Sequence, residues 1–198
     1  MELVNGVKIP EIGLGVYKMN PGREMNEAVK NAYQCGYRLF DTAQMYRNED
    51  ALGVALKENQ IPREEIFLTS KVDNCNQGYD NTIASFHETL KKLQTEYLDA
   101  FLIHWPGQQA ERTLSTWKAL EHLYKEGYIR SIGVSNFEIC QLELLLESCE
   151  IQPMLNQIEH TPFLHDEKLN AFCKEKHIQI EAWGPLLRGK MEDERIQK

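Results

Sequence analysis

Residues 36–50 read GYRLFDTAQMYRNED. An apolar run of strand length ends there in Asp41, and a polar stretch then carries Tyr46 toward the next helical pattern. The ending recurs. Residues 66–72, IFLTSKV, present Lys71 near their exit, and residues 100–106, AFLIHWP, present His104. Three successive strand ends thus deliver an aspartate, a tyrosine, a lysine and a histidine.

Working outward, strand-length runs occur at RLFDTA, EIFLTSK, DAFLIHW, RSIGVSN, PMLNQIE and QIEAWGP. Each is continuous rather than alternating, the pattern of strands covered on both faces. Helical periods lie between them. Ile83, Phe86, Leu90 and Leu93 are spaced by threes and fours, as are Leu114, Trp117, Leu120 and Tyr124, and further stripes run through Leu142 to Leu146 and Leu169 to Phe172. The charged run LKENQIPREE reads as a solvated face.

Strand and helix alternating every roughly 30 residues imply a parallel α/β fold, either an open doubly wound sheet or a (β/α)8 TIM barrel. An open sheet concentrates its site at one switch point, so candidate residues at many consecutive strand ends favour the barrel. The N-terminus differs. In LVNGVKIP an Asn-Gly pair separates short apolar segments, which predicts a tight β-hairpin, and EIGLGVYK follows as a further strand. Gly13 and Gly15 do not make a dinucleotide fingerprint, because Lys18 stands where the third glycine belongs and no acidic partner follows at the expected distance. With no linker or low-complexity segment, residues 1–198 are expected to form a single barrel domain.

The tyrosine gives the strand-end residues a reason to be together. A phenol has an ordinary pKa of about 10, and a nearby cation eases its loss of a proton. Lys71 can be that cation, and Asp41 can keep it charged and in place. His104 is then left to hydrogen-bond a substrate oxygen. Singly, each residue has a plainer role: a cap for Asp41, a surface phenol for Tyr46, a solvated strand end for Lys71, a core imidazole for His104. Together they read as a proton-donor site, since ionisable groups at buried strand ends are costly unless paired or functional.

Composition bounds the rest. The chain has 198 residues, 42% hydrophobic and 26% charged, with a net charge of −8. That charge argues against a nucleic-acid groove or an acidic membrane surface as partner. No run is long enough to span a membrane and MELVNGVKIP lacks the marks of a signal peptide, so a cytoplasmic protein is expected. The five cysteines, Cys35, Cys75, Cys140, Cys149 and Cys173, are irregularly spaced and expected to be reduced thiols. His87, His122, His160, His165 and His177 show no metal-ligand spacing, and no metal site is expected.

At this point the segments LVNGVKIPEIGLGVYKM, GYRLFDTAQMYRNE, LDAFLIHWP, GYIRSIGVSNF, MLNQIEHTPF and EAWGPLLRGK, in this order, resemble an aldo-keto reductase over almost the whole chain. The likeness is to bacterial members that reduce small carbonyl compounds. It implies carbonyl reduction with NADPH, NADH being possible, by the tetrad Asp41, Tyr46, Lys71 and His104, with Tyr46 as the proton donor. It also implies that Ser135, Asn136 and Gln157 hold the nicotinamide carboxamide and that Trp183 stacks on its ring. Gly184, Pro185 and Leu186 would touch the pyrophosphate, and Gly15, Val16 and Tyr17 would border the nicotinamide beside Asp41. These residue types match the chemistry of the ring, because a carboxamide has an acceptor and two donor hydrogens, and an indole offers a flat face. A small carbonyl partner and a monomer are likewise implied. The alternative is a non-catalytic nicotinamide-binding or structural protein of the same fold.

Two departures from the resemblance stand out. The family often has a pocket tryptophan two residues after the lysine, where this chain has Asp73. The sequence also stops at MEDERIQK, where the seventh crossover helix is expected to begin, so the eighth strand and last helix of the barrel are absent from it. A barrel of this class typically needs about 250 residues. The chain is therefore expected to be incomplete, or else a fragment that binds its cofactor weakly.

Overall fold

The computed structural model describes residues 1–187. Seven strands form one parallel sheet in sequential order: β1 Gly13–Gly15, β2 Leu39–Asp41, β3 Phe67–Val72, β4 Leu98–Ile103, β5 Ile129–Ser135, β6 Leu155–Glu159 and β7 Gln179–Trp183. The crossovers carry α1 Arg23–Gln34, α2 Glu49–Glu58, α3 Tyr79–Leu93, α4 Ala110–Lys125, α5 Ile139–Ser148 and α6 Glu167–Glu175. The sheet curls on itself, for Gln157 of β6 reaches across the interior to bond Asp41 of β2 at 2.9 Å. This is a (β/α)8 barrel followed as far as its seventh strand. The segment MEDERIQK lies outside the described residues.

The strands form where continuous apolar runs permit burial on both faces. Every residue of β3 and β4 is buried. The helical stripes face the sheet: Phe86, Leu90 and Leu93 are buried on α3, Trp117 and Leu120 on α4, and Leu142 and Leu145 on α5. Ends are set locally. Asp166 caps α6 by accepting from Lys168 N and Leu169 N, and Glu138 with Gln141 closes a capping box on α5. Gly13 has a steric reason, since a Cβ there would crowd the side chain of Leu39, its partner in β2.

The N-terminal hairpin is slighter than its sequence suggests. Gly6 N donates to Leu3 O and Leu3 N to Val7 O, both at 2.9 Å, with Gly6 at φ 83°. This is a turn followed by a glycine bulge rather than a two-residue Asn-Gly turn. A single antiparallel bridge, Glu2 to Lys8, follows it, flanked by Met1 and Ile9, which exchange N–H to O hydrogen bonds at 3.0 Å each. Leu3 and Ile9 are nevertheless buried, and Asn5 Nδ2 bonds Arg130 O at 2.9 Å, so the hairpin covers the N-terminal end of the barrel.

That end also holds Asp99, fully buried on β4, which accepts from Leu68 N at 2.9 Å and pairs with Arg63 and Arg130 at 2.7 Å each. The strands' C-terminal ends gather a different set of polar groups. Among the described residues no helix is long and apolar enough to cross a membrane.

Candidate active site

Asp41 ends β2, opposite Thr69 of β3. Lys71 lies two residues beyond Thr69 and so on the same face of the sheet. Its Nζ, wholly buried, stands 2.6 Å from both carboxylate oxygens of Asp41 and 3.0 Å from Thr42 O. Burial is the largest influence on this ammonium and pulls its pKa down. The charges of Asp41 and Tyr46 oppose it, with the Asp41 hydrogen bond, and the balance leaves Lys71 above the ordinary lysine value. The lysine is held as a cation.

Tyr46 closes a 3-10 turn, Gln44–Tyr46, whose buried first residue pins it down. Gln44 donates to Ser85 O and Thr89 Oγ1 and accepts from Asp73 N and Asn76 Nδ2, tying the turn to α3 and to the exit of β3. The phenol ring then sits with Lys71 Nζ 5.2 Å from its centroid, the His104 ring at 5.5 Å and the Tyr17 ring at 4.9 Å. Lys71 draws the phenol pKa down as the sequence suggests, but burial pushes harder, and the net direction is upward from 10. Tyr46 keeps its proton at neutral pH.

His104 follows β4 and is buried. Burial, with Lys71 adding to it, drives the imidazole pKa down to about 3, so the ring is neutral. Its Nδ1 is buried without a hydrogen-bond partner. A neutral donor-acceptor beside a phenol and an ammonium can align a carbonyl oxygen without competing for its proton.

The groups assigned to the nicotinamide also converge. Ser135 is opposite Gln157 in the sheet, and its hydroxyl donates to Gln157 O at 2.8 Å. Asn136, in the left-handed region at φ 62°, gives Nδ2 to His104 O and to Ser135 Oγ, both at 3.0 Å, and accepts Trp183 Nε1 at 2.9 Å. One asparagine thus links the indole, the serine and the histidine strand. Val16 donates to Asp41 O, which sets Gly15, Val16 and Tyr17 along the rim beside Asp41. Gly184, Pro185 and Leu186 make the turn after β7, with Gly184 at φ 67° and Leu187 N returning to Gly184 O. A half-buried indole of fixed orientation offers its flat face to a ring, and a carboxamide beside it would meet Ser135, Asn136 and Gln157 as acceptors or exchange with the hydrogen bonds they make to one another and to the strands.

One group escaped the sequence reading. Glu181 pairs with Gln157 between β7 and β6, and Gln157 Nε2 donates to Glu181 Oε1 at 2.7 Å as well as to Asp41 Oδ2. Gln157 spends its donors on two carboxylates beneath the site. Glu181 Oε2 is buried without a partner, and burial first, then the Asp41 charge, raises this carboxyl to about 7. The available signal was a lone acid inside the strand run QIEAW.

The chain belongs to the aldo/keto reductase family, whose sequence model matches residues 11–198. It is 50% identical to a glyoxal reductase of Bacillus subtilis across 99% of this chain and 70% of that protein. Identity to the methylglyoxal reductase DkgA of Escherichia coli O157:H7 is 39%, over 96% and 68%. The crystal structure of an aldo/keto reductase from Brucella melitensis superposes with a TM-score of 0.92 at 42% identity, covering 98% of this chain and 74% of that one. A single-site mutant of Gox0644 solved in complex with NADPH gives 0.92 at 40% identity, covering 100% and 71%.

Proposed function

We propose that this chain reduces small aldehydes and ketones to alcohols, with NADPH as the reductant and Tyr46 as the proton donor. One observation carries the reading: a fully buried lysine grips both oxygens of Asp41 while lying against the ring of Tyr46. Structure alone does not need that arrangement, since desolvating a charge pair is costly. Small dicarbonyls such as glyoxal are the substrates favoured by the names of the relatives.

Ser135, Asn136, Gln157 and Trp183 would hold the nicotinamide, with Gly15, Val16 and Tyr17 on one side and Gly184, Pro185 and Leu186 on the other. Reduced nicotinamide, when bound, supplies a hydride to the carbonyl carbon. Neutral His104 orients the carbonyl oxygen toward Tyr46. The phenol gives that oxygen its proton, and the ammonium of Lys71 steadies the phenolate left behind until water reprotonates it. Asp41 keeps the ammonium charged throughout.

Mixing the protein with NADPH and following both cofactor fluorescence and absorbance tests this. Fluorescence quenching followed by consumption on adding glyoxal is the expected outcome. Quenching without consumption for any small aldehyde would mean a nicotinamide binder that does no chemistry.

A further inference from the structure

Asp73 follows the last residue of β3, two positions after Lys71, so the two side chains leave the same face, with Asp73 one pleat nearer the mouth. The neighbouring strand shows what lies beside it. Lys71 is opposite Leu102 and Val72 opposite Ile103, and His104 N continues the ladder to Val72 O at 3.3 Å. His104 is therefore the cross-strand neighbour of Asp73, and the carboxylate acts on the imidazole electrostatically.

The position is fixed. Asp73 N donates to Gln44 Oε1, the group that anchors the Tyr46 turn, and Asp73 Oδ1 accepts from Cys75 N at 3.2 Å. The same carboxylate lies beside the Cys75 thiol, whose pKa is raised by burial first and then by the charge and hydrogen bond of Asp73. Among the described residues the interior offers no spare positive charge to offset this carboxylate. Lys71 is bound to Asp41, His104 is neutral, and Glu181 adds acid rather than base. Arg112 is turned to the backbone oxygens of Cys75 and Gln77, and Lys18 lies over the Tyr17 ring. Both are on the solvent side, where screening weakens them.

We propose that Asp73 determines the charge of the carbonyl substrate, a step that rests on the reductase reading above. Neutral carbonyl compounds are accepted, and those with a hydroxyl or ammonium near the carbonyl gain the Asp73 carboxylate as a partner. Compounds with a carboxylate near the carbonyl, such as 2-oxo acids, are repelled from the position His104 and Tyr46 require.

The test compares 4-formylbenzamide with 4-formylbenzoate, which match in shape and differ in charge, in the wild type and in Asp73→Asn. Asparagine preserves the cap at Cys75 and removes the charge. In the wild type the amide is expected to have the higher kcat/KM by about tenfold, the scale of one like charge acting across a partly solvated site. Most of that difference lies in KM, and it shrinks as salt is raised. In Asp73→Asn the ratio falls toward one because kcat/KM for the carboxylate substrate rises by more than that for the amide changes. An unchanged ratio in the variant, or a wild type that prefers the carboxylate, overturns the assignment of Asp73. Loss of turnover for both compounds in the wild type strikes the reductase reading instead. In that event calorimetric dissociation constants for benzamide and benzoate, with NADPH present, decide the charge preference: tenfold weaker benzoate, relieved in Asp73→Asn, supports it, and equal binding overturns it.

Discussion

Two buried aspartates face cations at opposite ends of the same barrel. Asp99, at the N-terminal end, is held by two guanidinium groups and a backbone N–H. Asp41, at the C-terminal mouth, has one ammonium and one amide, and that amide is shared with a second carboxylate. Around Asp99 the neighbours are arginines, which stay charged and bond in a fixed fork. Around Asp41 they are groups that can exchange protons, and buried polar atoms without partners remain at His104 Nδ1 and Glu181 Oε2. A network that closes on itself holds strands together, whereas one left with open valences is ready for a ligand.

The strongest way to break this contrast is to take the proton from the mouth while leaving its packing alone. Tyr46→Phe removes a single hydroxyl from a ring that keeps its contacts with Tyr17 and His104. Turnover of an aldehyde is expected to fall by roughly two to four orders of magnitude, the usual scale for general acid catalysis. NADPH binding, followed by fluorescence, and the melting temperature should stay close to wild type. Near-normal reduction by this variant would remove Tyr46 from the chemistry.

The second change acts at the other end. Asp99→Ala leaves Arg63 without the carboxylate that it meets at the barrel floor, and removing one partner of a buried pair costs about 3–5 kcal/mol. Arg130 is half exposed and can turn to solvent, which places the expected loss at the lower bound. Denaturant unfolding reads it directly. Turnover per folded molecule should be unchanged, and a variant that is equally stable but slow would erase the distinction between the two aspartates.

How far the sequence exposes this contrast depends on range. Asp41, Lys71 and His104 are legible because each ends a continuous apolar run, and continuity is a local property of strands buried on both faces. The stripes on α3 and α4 are legible for the same reason. The sign of the Tyr46 shift is not, because it depends on how tightly the mouth encloses the ring, and burial there outweighs Lys71. The slight hairpin is also hidden, since Asn5-Gly6 marks a turn without saying how many rungs follow. Glu181 needs the barrel to be closed: its link to Asp41 runs through Gln157, which itself lies 116 residues from Asp41 in sequence.

Glu181 supplies the finest test of the mouth, because its effect is small and has a definite sign. Its carboxyl is raised from 4.5 to about 7, by burial first and by the Asp41 charge second. The folded protein therefore holds this proton more tightly than the unfolded chain does. The stability so gained is fully present below about pH 4.5 and is lost as pH rises through about 7. Glu181→Gln keeps an acceptor for Gln157 and cannot ionise, so it should erase this contribution and leave the rest of the profile alone. Glu49, another buried acid with a raised pKa, gives a slope of the same sign. That slope is common to both proteins and cancels in their difference. Melting curves at pH 5, 6, 7 and 8 should show the variant gaining on the wild type by several degrees in total, on the order of 6 °C. A difference that stays flat across this range would mean that Glu181 is ionised throughout. Asp41 and Glu181 would then set two full negative charges against Lys71, and the contrast with the floor, where Asp99 meets two guanidinium groups, would be one of net charge rather than of exchangeable protons.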